Sequence, residues 1–161
     1  MEVGTSMRIV KIEDPAEKSR VCEKILRSLP QWFGIESAIV DYIKDVQAME
    51  TWVAIDSNAI GFISLKKHNQ QTAEIHVVGL LPEFHGKKVG SKLVQMAEES
   101  LRSQGFKFLT VKTLSESRPD INYDKTRKFY LSSGFIPLEE FKTLWGEHNP
   151  CLMMLKPLRS L

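Results

Sequence analysis

Residues 73–101 read AEIHVVGLLPEFHGKKVGSKLVQMAEESL and hold, in order, the signals of a strand, a turn and a helix. The opening run is apolar apart from Glu74 and His76, the pattern of a buried strand. Pro82 ends it, because proline has no amide to give to a sheet ladder. From Val89 the apolar residues recur as Val89, Leu93, Met96, Ala97 and Leu101, which is one face of a helix. Between the two lies His85-Gly86-Lys87-Lys88-Val89-Gly90-Ser91. Amides at a helix start have no intrahelical partner and, with the helix dipole, make an anion site. Glycine lets backbone and ligand approach closely. The stretch predicts a strand that feeds a phosphate-cradling turn.

Two familiar phosphate loops do not fit. A P-loop places four residues between its first glycine and a Gly-Lys-Ser/Thr ending, whereas Gly86 and Gly90 enclose three. The G-x-G-x-x-G spacing of a dinucleotide fold is absent as well. The turn resembles the Q/R-x-x-G-x-G/A pyrophosphate loop of the GNAT superfamily of acyl-CoA-dependent N-acetyltransferases. His85 then stands in the Q/R place, Lys88 in that of the first glycine and Gly90 in that of the second. A second block, Thr126-Arg-Lys-Phe-Tyr-Leu-Ser-Ser-Gly-Phe135, resembles the family's later motif, a helix that carries Phe-Tyr and ends at Gly-Phe. The resemblance covers roughly residues 7–157.

It implies a cofactor, acetyl-CoA, and a set of roles. The loop from His85 through Gly86, Lys87, Lys88, Val89 and Gly90 to Ser91 would hold the pyrophosphate. The amide of Val78 would polarise the thioester carbonyl, as an oxyanion hole does. Leu80 would pair with the pantetheine amide like an added strand, and Gly79 would permit a bulge. Tyr123 stands where the family often has asparagine, and Thr126 where it often has alanine. The general-base glutamate lies eleven positions ahead of the Q/R residue, which here is Glu74. Tyr130 matches the residue that returns a proton to the departing thiolate. Acceptor walls in the family come from the loop between the first two helices and from the last strand pair, which points to Trp32, Phe33, Trp145, Glu147 and His148.

The residues alone leave each role open. Glu74 reads equally as a solvated strand carboxylate, although a charge opening an apolar strand is costly unless used or wet. His76, two residues on and on the same face, is a base, a holder of water or a partly buried histidine. Its reference pKa of about 6.5 suits proton abstraction better than a carboxylate at about 4.3, while the family register selects Glu74. Tyr130 reads equally as a core aromatic.

Outward from this centre the chain alternates regularly. Met7–Ile12 predicts a first strand, and Asp14-Pro15-Ala16-Glu17 a helix start with Asp14 as cap and Glu17 as capping-box partner. Ser37 is expected to cap a second helix. Thr51–Ile55 and Ala59–Lys66 form a hairpin across Asp56-Ser57-Asn58. Phe106–Leu114 predicts a strand, Tyr123–Ser133 a helix stopped by Gly134, and Phe135–Phe141 with Cys151–Lys156 a closing pair. The expected fold class is α+β, in the order β-α-α-β-β-β-α-β-α-β-β. It forms one domain over residues 1–161, a mixed sheet of about seven strands, splayed at its centre and flanked by about four helices.

Bulk composition excludes several classes. A hydrophobic content of 42% and a charged content of 26% are those of a globular protein. A net charge of +2 gives no reason to invoke nucleic acid. No apolar run is long enough for a membrane helix, and MEVGTSMRIV lacks the basic start and apolar core of a leader. Two cysteines make no disulfide framework, and four histidines show no metal spacing. A cytoplasmic enzyme, monomer or homodimer, is expected, moving acetyl from acetyl-CoA to the amine of a small molecule or, less favoured, of a peptide or protein. The rival readings are a non-catalytic acyl-CoA sensor and a nucleotide-binding module.

Overall fold

The computed structural model describes residues 6–158. Residues 1–5 and 159–161, which include the first half of the stretch read for a leader, lie outside the described residues. The elements are β1 (Arg8–Ile12), α1 (Pro15–Arg27), α2 (Glu36–Asp45), β2 (Glu50–Asp56), β3 (Asn58–Lys67) and β4 (Thr72–Leu80). They continue with α3 (Val89–Ser103), β5 (Phe108–Leu114), α4 (Ile121–Ser132), β6 (Ile136–Phe141) and β7 (Cys151–Pro157). Single 3-10 turns follow α2 and β4. Element order and class are those expected.

The seven strands form one sheet in the order β1-β2-β3-β4-β5-β7-β6. Every pairing is antiparallel except β4 with β5. One face carries α3 and the end of α4, with Leu93, Ala97, Leu101, Tyr130 and Phe135 buried against Ile63, Ile75 and Val111. The other face carries α1 and α2, with Ile25, Leu26 and Leu29 buried against Val53, Phe62 and Val77. Truncating a fully buried residue such as Leu93 to alanine costs roughly 2–5 kcal/mol. Among the described residues no helix is long and apolar enough to cross a membrane.

Three local expectations are corrected. Ser37 does not cap α2; the cap position is Ile35, with no side-chain bond. The helix start is instead held by Arg27, whose guanidinium bonds both oxygens of Glu36 at 2.9 Å. Asp14 does cap α1, its carboxylate accepting from the Ala16 amide at 3.3 Å, without the reciprocal Glu17 arm among the described residues. Phe106 belongs to the end of α3 and not to β5. Its amide bonds the Leu101 carbonyl at 3.0 Å while Gly105, at φ +93, bonds Arg102 at 3.0 Å, a Schellman ending.

Candidate active site

The site follows from the one parallel pairing. β4 and β5 are partnered only from Thr72–Phe108 to Ile75–Val111. Beyond that point β4 runs on through His76, Val77, Val78, Gly79 and Leu80 with β3 on one edge and no strand on the other. A cleft of about 410 Å³ opens there, lined on the strand side by Ile75–Leu80 and Val111–Thr113. The bulge lies at His76 and not at Gly79. Ser64 pairs with Val77 and Leu65 with Ile75, so His76 is the residue without a partner. A bulge re-aims a side chain locally, and His76 and Val77 consequently share the α1–α2 face. Gly79 has another use: a β-carbon there would stand 3.0 Å from Ile25 and 3.4 Å from Leu29, so its absence lets α1 seat on β4.

At the open end of the cleft lies the turn. Gly86 has φ +76 and Lys88, the residue before α3, has φ 66. Lys88 occupies a left-handed position that costs a non-glycine residue roughly 1–2 kcal/mol. No side chain caps α3, and its first backbone bond runs from Lys92 to Lys88 at 3.2 Å. The amides of Val89, Gly90 and Ser91 thus precede any carbonyl of the helix that could receive them. Gly86 and Gly90 line the cleft, as does His85, whose Nε2–H donates to the Leu80 carbonyl at 2.9 Å. That carbonyl retains a second lone pair. Lys87, Lys88, Val89 and Ser91 are not in the cleft wall; both lysines are exposed, and Val89 is a core side chain. A β-carbon on Gly90 would meet Phe129 at 3.2 Å and Leu80 at 3.3 Å. This glycine therefore also serves the packing of α3 on α4 and β4.

The opposite wall is α4. Its start is closed by Asp120, which accepts from the amides of Asn122 at 2.9 Å and Tyr123 at 3.1 Å. Its end is a second Schellman motif: Phe135 bonds the Tyr130 carbonyl and Gly134, at φ +97, that of Leu131, both at 3.1 Å. The Phe135 ring stands edge-on to Tyr130 with centroids 5.6 Å apart. The Gly-Phe pair thus fixes Tyr130 at backbone and ring together. Tyr130 lines the cleft, and its hydroxyl has no hydrogen-bond partner among the described residues. Burial raises its pKa above the ordinary value of 10, with the Tyr123 and Tyr42 hydroxyls adding to the effect.

The loop between α1 and α2 closes over this opening. Trp32 donates its indole N–H to Thr126 Oγ1 at 3.1 Å, and Tyr123 donates its hydroxyl to the Trp32 carbonyl at 2.8 Å. Tyr123 and Thr126 line the cleft, but their polar atoms are engaged with Trp32. Burial pushes the Tyr123 hydroxyl up to about 12. Trp32 also meets the His85 ring edge-on at 5.5 Å.

At the closed end the strands part between His76 and Lys112. His76 lines the cleft, donates from Nε2 to Asp45 Oδ2 at 3.1 Å and packs against Tyr42 at 5.3 Å. Glu74 does not reach the cleft wall. Its carboxylate accepts from Lys112 Nζ at 3.2 and 3.1 Å and from His68 Nε2 at 2.6 Å. Phe33 and Trp145 line the cleft, and His148 is exposed and stands apart from its wall. The lining residues that sequence reading did not assign to the site include Tyr42, Lys112, Lys125 and Phe129. Lys112 had a signal: Glu74 and Lys112 are the lone acidic and basic residues of two strands that are otherwise uncharged apart from His76.

The comparisons with known proteins give a family by sequence and a fold by structure. A model of the acetyltransferase (GNAT) family matches residues 19–135. Among solved structures, the chain is similar to a protein from Desulfovibrio desulfuricans assigned to the GNAT acetyltransferases, with a TM-score of 0.82 at 13% identity over 96% of this chain and 100% of the other. It is similar to an aminoglycoside 6'-N-acetyltransferase solved with coenzyme A, TM-score 0.76 at 16% identity, covering 96% and 98%. It is also similar to the PaiA N-acetyltransferase of Thermoplasma acidophilum, likewise solved with coenzyme A, TM-score 0.73 at 21% identity, covering 95% and 99%. No curated protein matches it in sequence.

Proposed function

The chain belongs to the acetyltransferase (GNAT) family, and from that premise we propose that it is an N-acetyltransferase, moving the acetyl group of acetyl-CoA to the amine of a small molecule by direct transfer in a ternary complex. The observation that carries the reading is the edge of β4 from His76 to Leu80, which has no strand on the β5 side. It leads from a helix start with no side-chain cap to a tyrosine hydroxyl without a partner among the described residues.

These residues fit the cofactor. The left-handed turn at Gly86 and Lys88 and the amides opening α3 form a concave donor set for a pyrophosphate. The partnerless edge of β4 offers backbone groups to the amides of a pantetheine arm, as to an added strand. Acetyl-CoA, when bound, supplies an acetyl group activated as a thioester. In this reading the Val78 amide, on the partnerless edge of β4, would donate to the carbonyl oxygen of that group. Tyr130 holds at its hydroxyl the proton that the departing sulfur takes up.

For the amine proton the geometry favours His76 over Glu74. The Glu74 carboxylate is occupied by Lys112 and His68. His76 is in the wall, and its Nε2–H bond to Asp45 leaves Nδ1 as the basic nitrogen of the neutral ring. Asp45 also steadies the imidazolium once the proton is taken, as in other His–carboxylate pairs.

The test is thiol release from acetyl-CoA across a panel of primary amines, with the products weighed by mass spectrometry. Amine-dependent thiol release with an acetylated product is expected. Tight coenzyme A binding with no amine-dependent release would leave an acyl-CoA-binding domain without turnover.

A further inference from the structure

The closed end of the cleft has a chemical character that narrows the acceptor. Among the described residues no aspartate or glutamate lines the cleft, whereas Lys112 and Lys125 do. Lys112 is the first residue of β5 beyond its last pairing with β4, and His76 is the first such residue of β4. The two therefore stand at one level of the sheet, where the strands part. They also share a side of the sheet. His76 packs on Tyr42, and Lys112, tied to Glu74, alternates with Leu109 and Val111, which are buried on the α3 face.

Glu74 stands behind this lysine. Its side chain is 8% exposed against 25% for Lys112, so the ammonium is what a ligand in the cleft meets. An ammonium has three N–H donors, and two are directed at the Glu74 oxygens. The third is left for the cleft. Lysine is a flexible point charge that is costly to hold in place. Here the carboxylate, itself anchored by His68, holds it at one position. Around the pair, Phe33, Tyr42 and Trp145 supply aromatic walls.

We infer that the acceptor is a compact amino-acid-like molecule, a primary amine bearing a neighbouring carboxylate and an aromatic or apolar body. Its carboxylate sits on Lys112 and its amine faces His76. The inference rests on the transferase reading above and deepens it. In the transfer the amine nitrogen forms its bond to the acetyl carbon as the carbon–sulfur bond breaks. His76 takes the proton from the amine and Tyr130 gives one to the sulfur. Glu74 is then a positioning residue that acts through Lys112. A polycationic acceptor such as an aminoglycoside is disfavoured, because it would meet two lysines and, among the described residues, no carboxylate in the wall.

The test compares kcat/KM for tryptophan and phenylalanine with that for tryptamine and phenethylamine, the same bodies without the carboxylate, and for kanamycin. Binding of the same ligands to the coenzyme A-loaded protein is measured by calorimetry. The amino acids are expected to exceed their decarboxylated partners by at least tenfold. In the double variant Lys112→Met/Glu74→Gln, which leaves no buried charge unpaired, that ratio should collapse towards one. Lys112→Arg should retain it. A carboxylate preference in binding without turnover would remove the transferase reading and keep the acceptor class. Equal or better use of the decarboxylated amines or kanamycin, or no binding by either amino acid, overturns the inference. So does a Lys112 variant that lowers both members of a pair alike.

Discussion

Helices α3 and α4 finish alike and begin differently. Both end in a Schellman motif, with Gly105 and Phe106 closing α3 and Gly134 and Phe135 closing α4. At the start of α4, Asp120 takes up two backbone amides. At the start of α3 no side chain does so, and the residue in the cap position is a left-handed lysine. A cap that satisfies the amides makes a stable helix end. A start left open is less stable by itself but can receive an anion. The proposed site lies at the helix whose first turn has no side-chain cap, and in that proposal the capped helix supplies a fixed side chain, Tyr130.

The largest expected effect is on that side chain. Tyr130→Phe should lower kcat by roughly 10²–10⁴, the range for a lost acid–base group, with near-normal acetyl-CoA affinity. Because burial raises the pKa of Tyr130, its protonated, donating form persists as pH rises. The wild-type kcat should show no alkaline fall from its ionisation. A variant that melts earlier yet turns over normally would make Tyr130 a core residue only.

Next comes the amine proton. His76→Gln should lose activity by a comparable factor near neutrality and recover part of it at high pH, where the free amine is already deprotonated. Glu74→Gln should keep the wild-type shape of the pH–rate profile. Reversal of the two profiles would return the base to Glu74, the residue chosen by the family register.

Smaller effects separate the two ends of α4. Gly134→Ala places a β-carbon at φ +97, 3.1 Å from the Lys156 side chain. It should cost about 1–2 kcal/mol in urea unfolding and disturb Tyr130 through the lost clamp. Asp120→Ala should cost about 1 kcal/mol, the usual value of a cap, and leave coenzyme A affinity unchanged. A large loss of affinity in Asp120→Ala would mean that both helix starts serve the cofactor.

These contrasts explain what the sequence could show. Element order and sheet class were legible because hydrophobic periods of two and of about 3.6 residues alternate cleanly along the chain. The turn at Gly86 to Ser91 and the Phe-Tyr…Gly-Phe block were legible because they are local. What was not local was not legible. Ser37 looked like a cap because serine often is one, but the Arg27–Glu36 pair, nine residues apart, holds that helix start. Gly79 suggested a bulge, yet the bulge belongs to His76 because it depends on the register against β3. Glu74 fitted a catalytic register, and its partner Lys112 lies on a strand 38 residues away. Spacing along one strand cannot show which charges a neighbouring strand brings to meet it.

The central claim is that the open start of α3 receives the cofactor phosphates, and the most direct measurement exchanges the two helix starts. Coenzyme A binding is to be measured by calorimetry for the wild type, Lys88→Gly and Lys88→Asp. Lys88→Gly relieves the left-handed strain and should bind within a few-fold of wild type, more weakly at low salt if the lysine charge contributes. Lys88→Asp puts a negative charge at the start of α3, and should bind at least tenfold more weakly with the fold intact by circular dichroism. Wild-type affinity in Lys88→Asp would contradict the account.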